Sequence, residues 1–316
     1  MRKFLVSTAL VSTLAMSGAA MAEEAKKAEA FSWKVTPYGA INGFVEGGTA
    51  DGKEVSISTD KSKVGVDVKT NGADYAFGKV EAGVAMDAGD DPEFSINYGY
   101  VGVGSSIGEL SVGKQKSLAH EWANPTDIFT IGGNESPLLP TKKVTNSGKV
   151  VVNVPGVDAK VGVMVSADDT TTEDKHVDTY QLAATVKDLG VAYTKNSVND
   201  VTHYNVGYGT KFGAVGVAAS YSVKDTTGSA GASDLVKWGT DVTGVTRAVE
   251  ATVSFDVSDK LTVLGGVGKT DASGDDGKGL GGFTYAMNKQ TTWFSTGEYD
   301  VASSDVVARS GVSFKF

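Results

Sequence analysis

Residues 63–69 read Lys-Val-Gly-Val-Asp-Val-Lys, and residues 79–87 read Lys-Val-Glu-Ala-Gly-Val-Ala-Met-Asp. In the first stretch Val64, Val66 and Val68 alternate with Lys63, Gly65, Asp67 and Lys69. In the second, Val80, Ala82, Val84 and Met86 alternate with Lys79, Glu81, Gly83 and Asp87. A period of two puts one set of side chains on each face of a β-strand. The last residues repeat the pattern. Val306, Ala308, Val312, Phe314 and Phe316 share one face, and Arg309, Gly311, Ser313 and Lys315 the other. Beyond residue 22 no stretch shows a convincing helical period.

Between such stretches the connections alternate in length. Short turns fall at Thr70–Asp74, Ser105–Gly108, Pro155–Asp158, Asp188–Gly190, Phe212–Gly213, Ser258–Lys260 and Asn288–Lys289. Longer polar links fall at Gly47–Thr59, Ala88–Glu93, Ser117–Lys143, Ala167–His176, Asn196–Val201, Asp225–Thr246, Thr270–Gly277 and Asp300–Ser304. Seven short and eight long connections join sixteen strands. Their predicted starts lie near Trp33, Ser62, Phe77, Phe94, Glu109, Thr145, Ala159 and Val177, then Gly190, Thr202, Ala214, Arg247, Leu261, Lys278, Gln290 and Asp305.

Composition narrows the class. With no Cys there is no disulfide, no thiolate metal site and no Cys nucleophile. His120, His176 and His203 are far apart and lack any nucleophile motif, so neither a metal site nor a catalytic set is expected. No phosphate-binding glycine loop is present, and no cofactor is expected; the 40 Gly fall at strand and turn positions. Arg2 and Lys3, the apolar run Phe4–Met16 and Ala20-Met21-Ala22 make residues 1–22 an expected signal peptide. Removing it leaves 27 bases against 38 acids, a net charge of −11, which argues against nucleic acid as a partner. Residues 23–31, which include the charged run EEAKKAEA, are expected to form a periplasmic leader before the single domain that runs to residue 316.

Two all-β architectures could use sixteen alternating strands. A sandwich buries its apolar face in a second layer, whereas a transmembrane barrel turns it to lipid. Here the non-apolar face is crowded with Lys, Glu, Asp, Ser and Asn, which a dry core would not accommodate cheaply. The strict long–short alternation and the even strand count also favour an antiparallel up-and-down transmembrane barrel. Eight strands fill a barrel with side chains, but sixteen leave an aqueous channel.

Four stretches then carry a family resemblance. Val35-Thr36-Pro37-Tyr38-Gly39-Ala40 is similar to a first-strand V-T-L-Y-G motif, and Ser62-Lys63-Val64-Gly65-Val66 to a second-strand S-R-x-G-F pattern. Residues 108–115, Gly-Glu-Leu-Ser-Val-Gly-Lys-Gln, resemble G-x-L-x-x-G-R-Q. Ser313-Phe314-Lys315-Phe316 resembles the terminal aromatic strand read by the outer-membrane assembly machinery, which makes Phe314 and Phe316 its expected signal. Together the chain resembles the general trimeric sixteen-stranded porins of the Gram-negative outer membrane. It departs from them in having Pro37 in the first strand, Ala40 where a pore-facing base is common, and only Arg247 and Arg309 beyond the signal peptide.

The resemblance implies a third loop folded into the barrel, within Ser117–Lys143, whose acids Glu121, Asp127 and Glu135 face basic wall residues. Lys63 matches such a wall base directly; Lys79 and Lys149 are added by strand parity. Asp67, Glu81, Ser95 and Asn97 are expected on the pore wall, Ser95 and Asn97 replacing family bases. The expected function is passive diffusion of ions and small hydrophilic solutes with mild cation preference. A substrate-selective porin is the close alternative; a structural or adhesive barrel or an outer-membrane enzyme are the remote ones. Homotrimers in outer-membrane lipid are implied. Tyr38, Trp33, Tyr98, Tyr100, Phe283, Tyr285, Trp293, Tyr299, Phe314 and Phe316 are candidates for the two aromatic girdles.

Overall fold

The computed structural model describes residues 32–49, 55–59, 61–85, 93–129, 138–167, 177–226, 245–271 and 277–316. The expected signal peptide and leader lie outside them. Among the described residues one antiparallel sheet closes on itself. Its strands are β1 (Trp33–Gly48), β2 (Ser56–Ser58), β3 (Ser62–Thr70), β4 (Tyr75–Ala85), β5 (Glu93–Ser105) and β6 (Gly108–Lys116). They continue as β7 (Lys143–Asn153), β8 (Ala159–Ser166), β9 (Thr179–Val186), β10 (Leu189–Asn196), β11 (Val201–Phe212) and β12 (Val215–Asp225). The last are β13 (Val245–Asp256), β14 (Leu261–Thr270), β15 (Lys278–Ala286), β16 (Thr291–Asp300) and β17 (Val306–Lys315).

Sixteen of these form the barrel wall. The short β2 is an extra return that pairs only with the top of β1, Phe44 opposite Ser58. It falls inside the first long link, which is why alternation did not reveal it. The sixteen wall strands begin within two residues of the expected positions. The fifth link is shorter than expected, Ser197–Asp200, because Asn196 Oδ1 accepts from the backbone N–H groups of Val198 and Asn199 and closes a tight turn.

Each strand obeys the period-two rule with the apolar side outward. Val64, Val66, Val80, Val101, Val103, Val163 and Val249 are exposed on the outer surface, whereas Gln115, Asn205, Thr194 and Ser222 are buried on the inner one. That inversion of the soluble pattern is what lipid outside and water inside require. Arg247 lies on the outer face, but only at the loop end of β13. There the Asp271 carboxylate accepts from its backbone N–H and from its guanidinium, and this holds Asp271 below the usual carboxylate range.

Closure depends on β1. Its first half, Trp33–Ala40, pairs with β3; its second half, Ala40–Gly48, pairs with β17. At the crossover Gly39 and the terminal Phe316 exchange both backbone hydrogen bonds, at 3.0 and 3.2 Å. The Phe316 ring occupies the space beside Gly39: a Cβ there would sit 2.3 Å from Phe316 Cζ. Gly39→Leu is therefore expected to destabilise the barrel by about 1–3 kcal/mol through overpacking. Urea unfolding followed by loss of heat-modifiable gel mobility measures it. Wild-type stability in the variant would show that the Gly39–Phe316 seam does not matter for closure.

Candidate functional site

The link after β6 does not stay outside. Ser117 begins a one-turn helix, α1 (Leu118–Trp122), by accepting from the His120 N–H through its hydroxyl. Ser117 N–H donates to the Lys142 carbonyl and so ties the two ends of the link together. The helix packs on the inner face of β8–β10. Leu118 N–H donates to Gln181 Oε1 at 2.9 Å. Leu118, Ala119 and Ala123 are buried with Val144, Met164, Ala183 and Ala192. Burying an aliphatic side chain the size of Leu contributes about 1.5–3 kcal/mol, so this small cluster can hold an otherwise polar segment inside the lumen.

The wall is cleared for this approach. A Cβ at Gly190 would lie 1.7 Å from the Trp122 carbonyl oxygen, and one at Gly207 would meet Ala123 and Pro125 at 2.5 Å. Further along, Thr126 Oγ1 donates to Glu250 Oε2 on β13 at 2.8 Å, and Ser220 on β12 reaches the same carboxylate oxygen at 3.1 Å. Phe129 packs on Leu264 and Leu280 of β14 and β15. The segment thus crosses the barrel from the β6 wall to the β14–β15 wall. On its return, Leu138 O lies 2.7 Å from His203 Nδ1 and Pro140 O lies 2.8 Å from His120 Nε2. His203 is a buried wall residue of β11, on the face that meets the returning loop.

The expected charged residues fall into three groups. Lys149 Nζ reaches Glu121 Oε2 at 3.0 Å, an ion pair between wall and loop. Lys63 pairs with Glu81 at 3.2 Å and Lys79 with Asp67 at 3.3 Å, both within the wall. Asp127 pairs with Lys142 of the same loop at 3.2 Å. Glu135 lies outside the described residues. Asn97 is the extra residue of a β-bulge opposite Glu81; its amide donates to Glu81 Oε1 at 3.2 Å and its carbonyl accepts from Lys143. Ser95 is exposed and stands beside Gly83.

Sequence reasoning missed two features. On β15, β16, β17 and β1, Arg309 reaches Glu46 at 2.5 Å and Glu298 at 3.4 Å, while Lys278 reaches Glu298 at 2.8 Å and Asp300 at 3.6 Å. Parity gives the inner face of each residue, but the register that joins four strands comes only from pairing. The second is the orientation of Tyr38, Tyr98 and Tyr100. They point into the lumen, on the face of Lys63 and Lys79, and leave the girdle without them.

Phe314 and Phe316 stand on the outer face with ring centroids 6.2 Å apart. A family model described as Gram-negative porin matches residues 7–305. The chain belongs to that family. No curated protein sequence matches it.

Solved porin-like barrels share the architecture at low identity. OmpF of Salmonella typhi, in complex with daunomycin, is 14% identical with a TM-score of 0.68, covering 90% of this chain and 98% of that one. A trimer form of OmpT, an outer-membrane protein of Vibrio cholerae, is 17% identical with a TM-score of 0.65, covering 90% and 100%. The outer-membrane channel DcaP of Acinetobacter baumannii is 16% identical with a TM-score of 0.65, covering 92% and 99%. This porin is accordingly an outer-membrane channel of a Gram-negative bacterium.

In this porin the loop is held by close approach, so the wall glycines are sensitive points. Gly190→Leu is expected to lift α1 and raise single-channel conductance and current noise in planar bilayers while heat-modifiable folding is retained. A folded variant with unchanged conductance would show that α1 does not limit the pore.

Proposed function

We propose that this porin is a passive diffusion channel for ions and small hydrophilic solutes, narrowed by its third loop and mildly selective for cations. The observation that carries the proposal is the segment from Ser117 to Phe129 lying across a lumen lined by paired charges. Glu121 of the loop and Lys149 of the wall form a contact ion pair at this section, which fixes the loop to the wall and places a charged edge beside the narrowed lumen. Lys63 and Lys79, with wall carboxylates as neighbours, add local dipoles rather than an uncompensated positive wall.

The cation preference rests on an excess of carboxylate. The chain from residue 23 has a net charge of −11. Ser95 and Asn97 are uncharged at positions where the family resemblance implies bases. The upper wall network sets Glu46, Glu298 and Asp300 against Arg309 and Lys278. Cations are therefore concentrated in the pore, and more so at low salt, where screening weakens.

We also propose a homotrimer, with the outer face of β3–β8 as the contact. A lipid-facing barrel wall carries aromatic belts at both membrane interfaces. From β9 to β17 the outer face has Tyr180, Tyr204, Tyr208, Tyr221, Phe255 and Trp293, among others. From β3 to β8 the exposed outer residues are Val and Ile, with Phe94 the aromatic exception. A wall that meets another copy of the chain has no need of an aromatic anchor. Residues 1–22 are proposed as the export signal and Phe314 and Phe316 as the handle for barrel assembly.

Reversal potentials in planar bilayers under a KCl gradient are expected to give potassium preference, larger for Lys149→Gln and larger at low KCl; clear chloride preference overturns the selectivity proposal. Because the chain has no Cys, Val101→Cys on the β5 outer face is expected to cross-link copies through a short bis-maleimide, and Val206→Cys on β11 is not. The reverse result would move the contact to the other side of the barrel.

A further inference from the structure

One side of the lumen wall is lined with rings. Tyr75, Phe77, Tyr98 and Tyr100 of β4 and β5, with Tyr38 of β1, hold inward positions in register with Lys69, Lys79 and Glu81. Three of them rest against a bare backbone. A Cβ at Gly65 would come 2.5 Å from Tyr38 Cζ, one at Gly102 2.5 Å from Phe77 Cζ, and one at Gly104 2.5 Å from Tyr75 Cζ. The rings are half-buried, so each keeps part of its surface in contact with the lumen.

The rings are ordered along the pore. Tyr75 follows the periplasmic turn, and Phe77, Lys79 and Glu81 succeed it two residues at a time, about 7 Å per step. Ring centroids are 5.9 Å apart for Tyr75 and Phe77 and 6.3 Å apart for Phe77 and Tyr100. Asn97, next to Tyr98, accepts from Lys143 at the end of the third loop, so the upper rungs adjoin the loop.

Polar groups of both signs flank the rings. Tyr75 donates to Glu109 at 2.6 Å and Tyr38 to Glu81 at 2.9 Å. Lys79 pairs with Asp67, and the Lys69 and Lys79 ammonium groups stand over the Tyr75 and Tyr38 rings at 3.5 and 4.4 Å. Donors and acceptors thus alternate beside the ring faces. A carboxylate or ammonium solute would need charges of one sign. A sugar needs this mixture: its hydroxyls take neighbouring donors and acceptors, and its positively polarised C–H face stacks on the electron-rich ring.

We propose that the β1–β4–β5 wall is a weak binding track for neutral oligosaccharides, which move along the ring ladder between the third loop and the periplasmic mouth. The proposal rests on the open-channel reading above and adds a preferred solute class to it.

Single-channel currents through the full-length mature protein in planar bilayers test it, with maltohexaose as probe and a polyethylene glycol of similar size as the non-stacking control. Wild type is expected to show concentration-dependent current interruptions with maltohexaose. Phe77→Leu and Tyr100→Leu still cover the wall backbone; each is expected to keep the open-channel current and raise the half-blocking concentration roughly tenfold, with the polymer unaffected. An open channel that maltohexaose does not block, or blocks equally in wild type and both variants, overturns the track. Absence of any open current overturns the channel reading and the track with it.

Discussion

Inside a bilayer no water is available to a peptide group, and every backbone N–H and C=O must find its partner within the protein. In this chain that requirement is met by one seam. β1 serves two neighbours in succession, β3 with its first half and β17 with its second, so the sheet has no open edge. The seam brings the last residue of the chain against Gly39. A barrel of this kind cannot be completed until its final strand is present, which gives the terminal aromatic residues a structural role at the point of closure.

Closure with sixteen wall strands leaves a lumen too wide to be filled by wall side chains alone. The third loop occupies part of that space, and its attachment follows the rules of a soluble core in miniature. Leu118 and Ala119 find apolar partners, Thr126 finds a buried carboxylate, and wall glycines make room for the backbone. A hydrogen bond to a charged group of this type contributes about 1.5–3 kcal/mol, comparable to one buried aliphatic side chain. The loop is thus held at several points along its path rather than by a single contact.

The wall is also asymmetric around its circumference. On β1, β4 and β5 the rings of Tyr38, Tyr75, Phe77, Tyr98 and Tyr100 face the water, with Trp33 and Phe94 outward near the strand starts, while from β9 to β17 many rings face the membrane side. Both arrangements obey the same alternation. What differs is which phase of the alternation the aromatic residues occupy. Exposed ion pairs on the wall contribute little to stability, about 0–1 kcal/mol each, so their weight falls on the electrostatics of the lumen.

Much of this was legible in the chain itself. Period-two stretches such as residues 63–69, alternating with short and long links, determined sixteen wall strands, their order and their inner and outer faces. Strand geometry depends on local spacing alone, so a single sequence can carry it. The short β2, the buried place of His203 and the inward turn of Tyr98 and Tyr100 were not legible. Each depends on what lies opposite after pairing: β1 for β2, the returning loop for His203, and a bulge at Asn97 that shifts the phase of β5 for two of the tyrosines. Likewise parity could mark Lys63, Lys79 and Lys149 as lumen residues, but only the closed barrel decided that Lys149 meets the loop while the other two meet the wall. Register and the path of a loop across a cavity are set by contacts between residues remote in sequence, and only the tertiary structure brings those residues together.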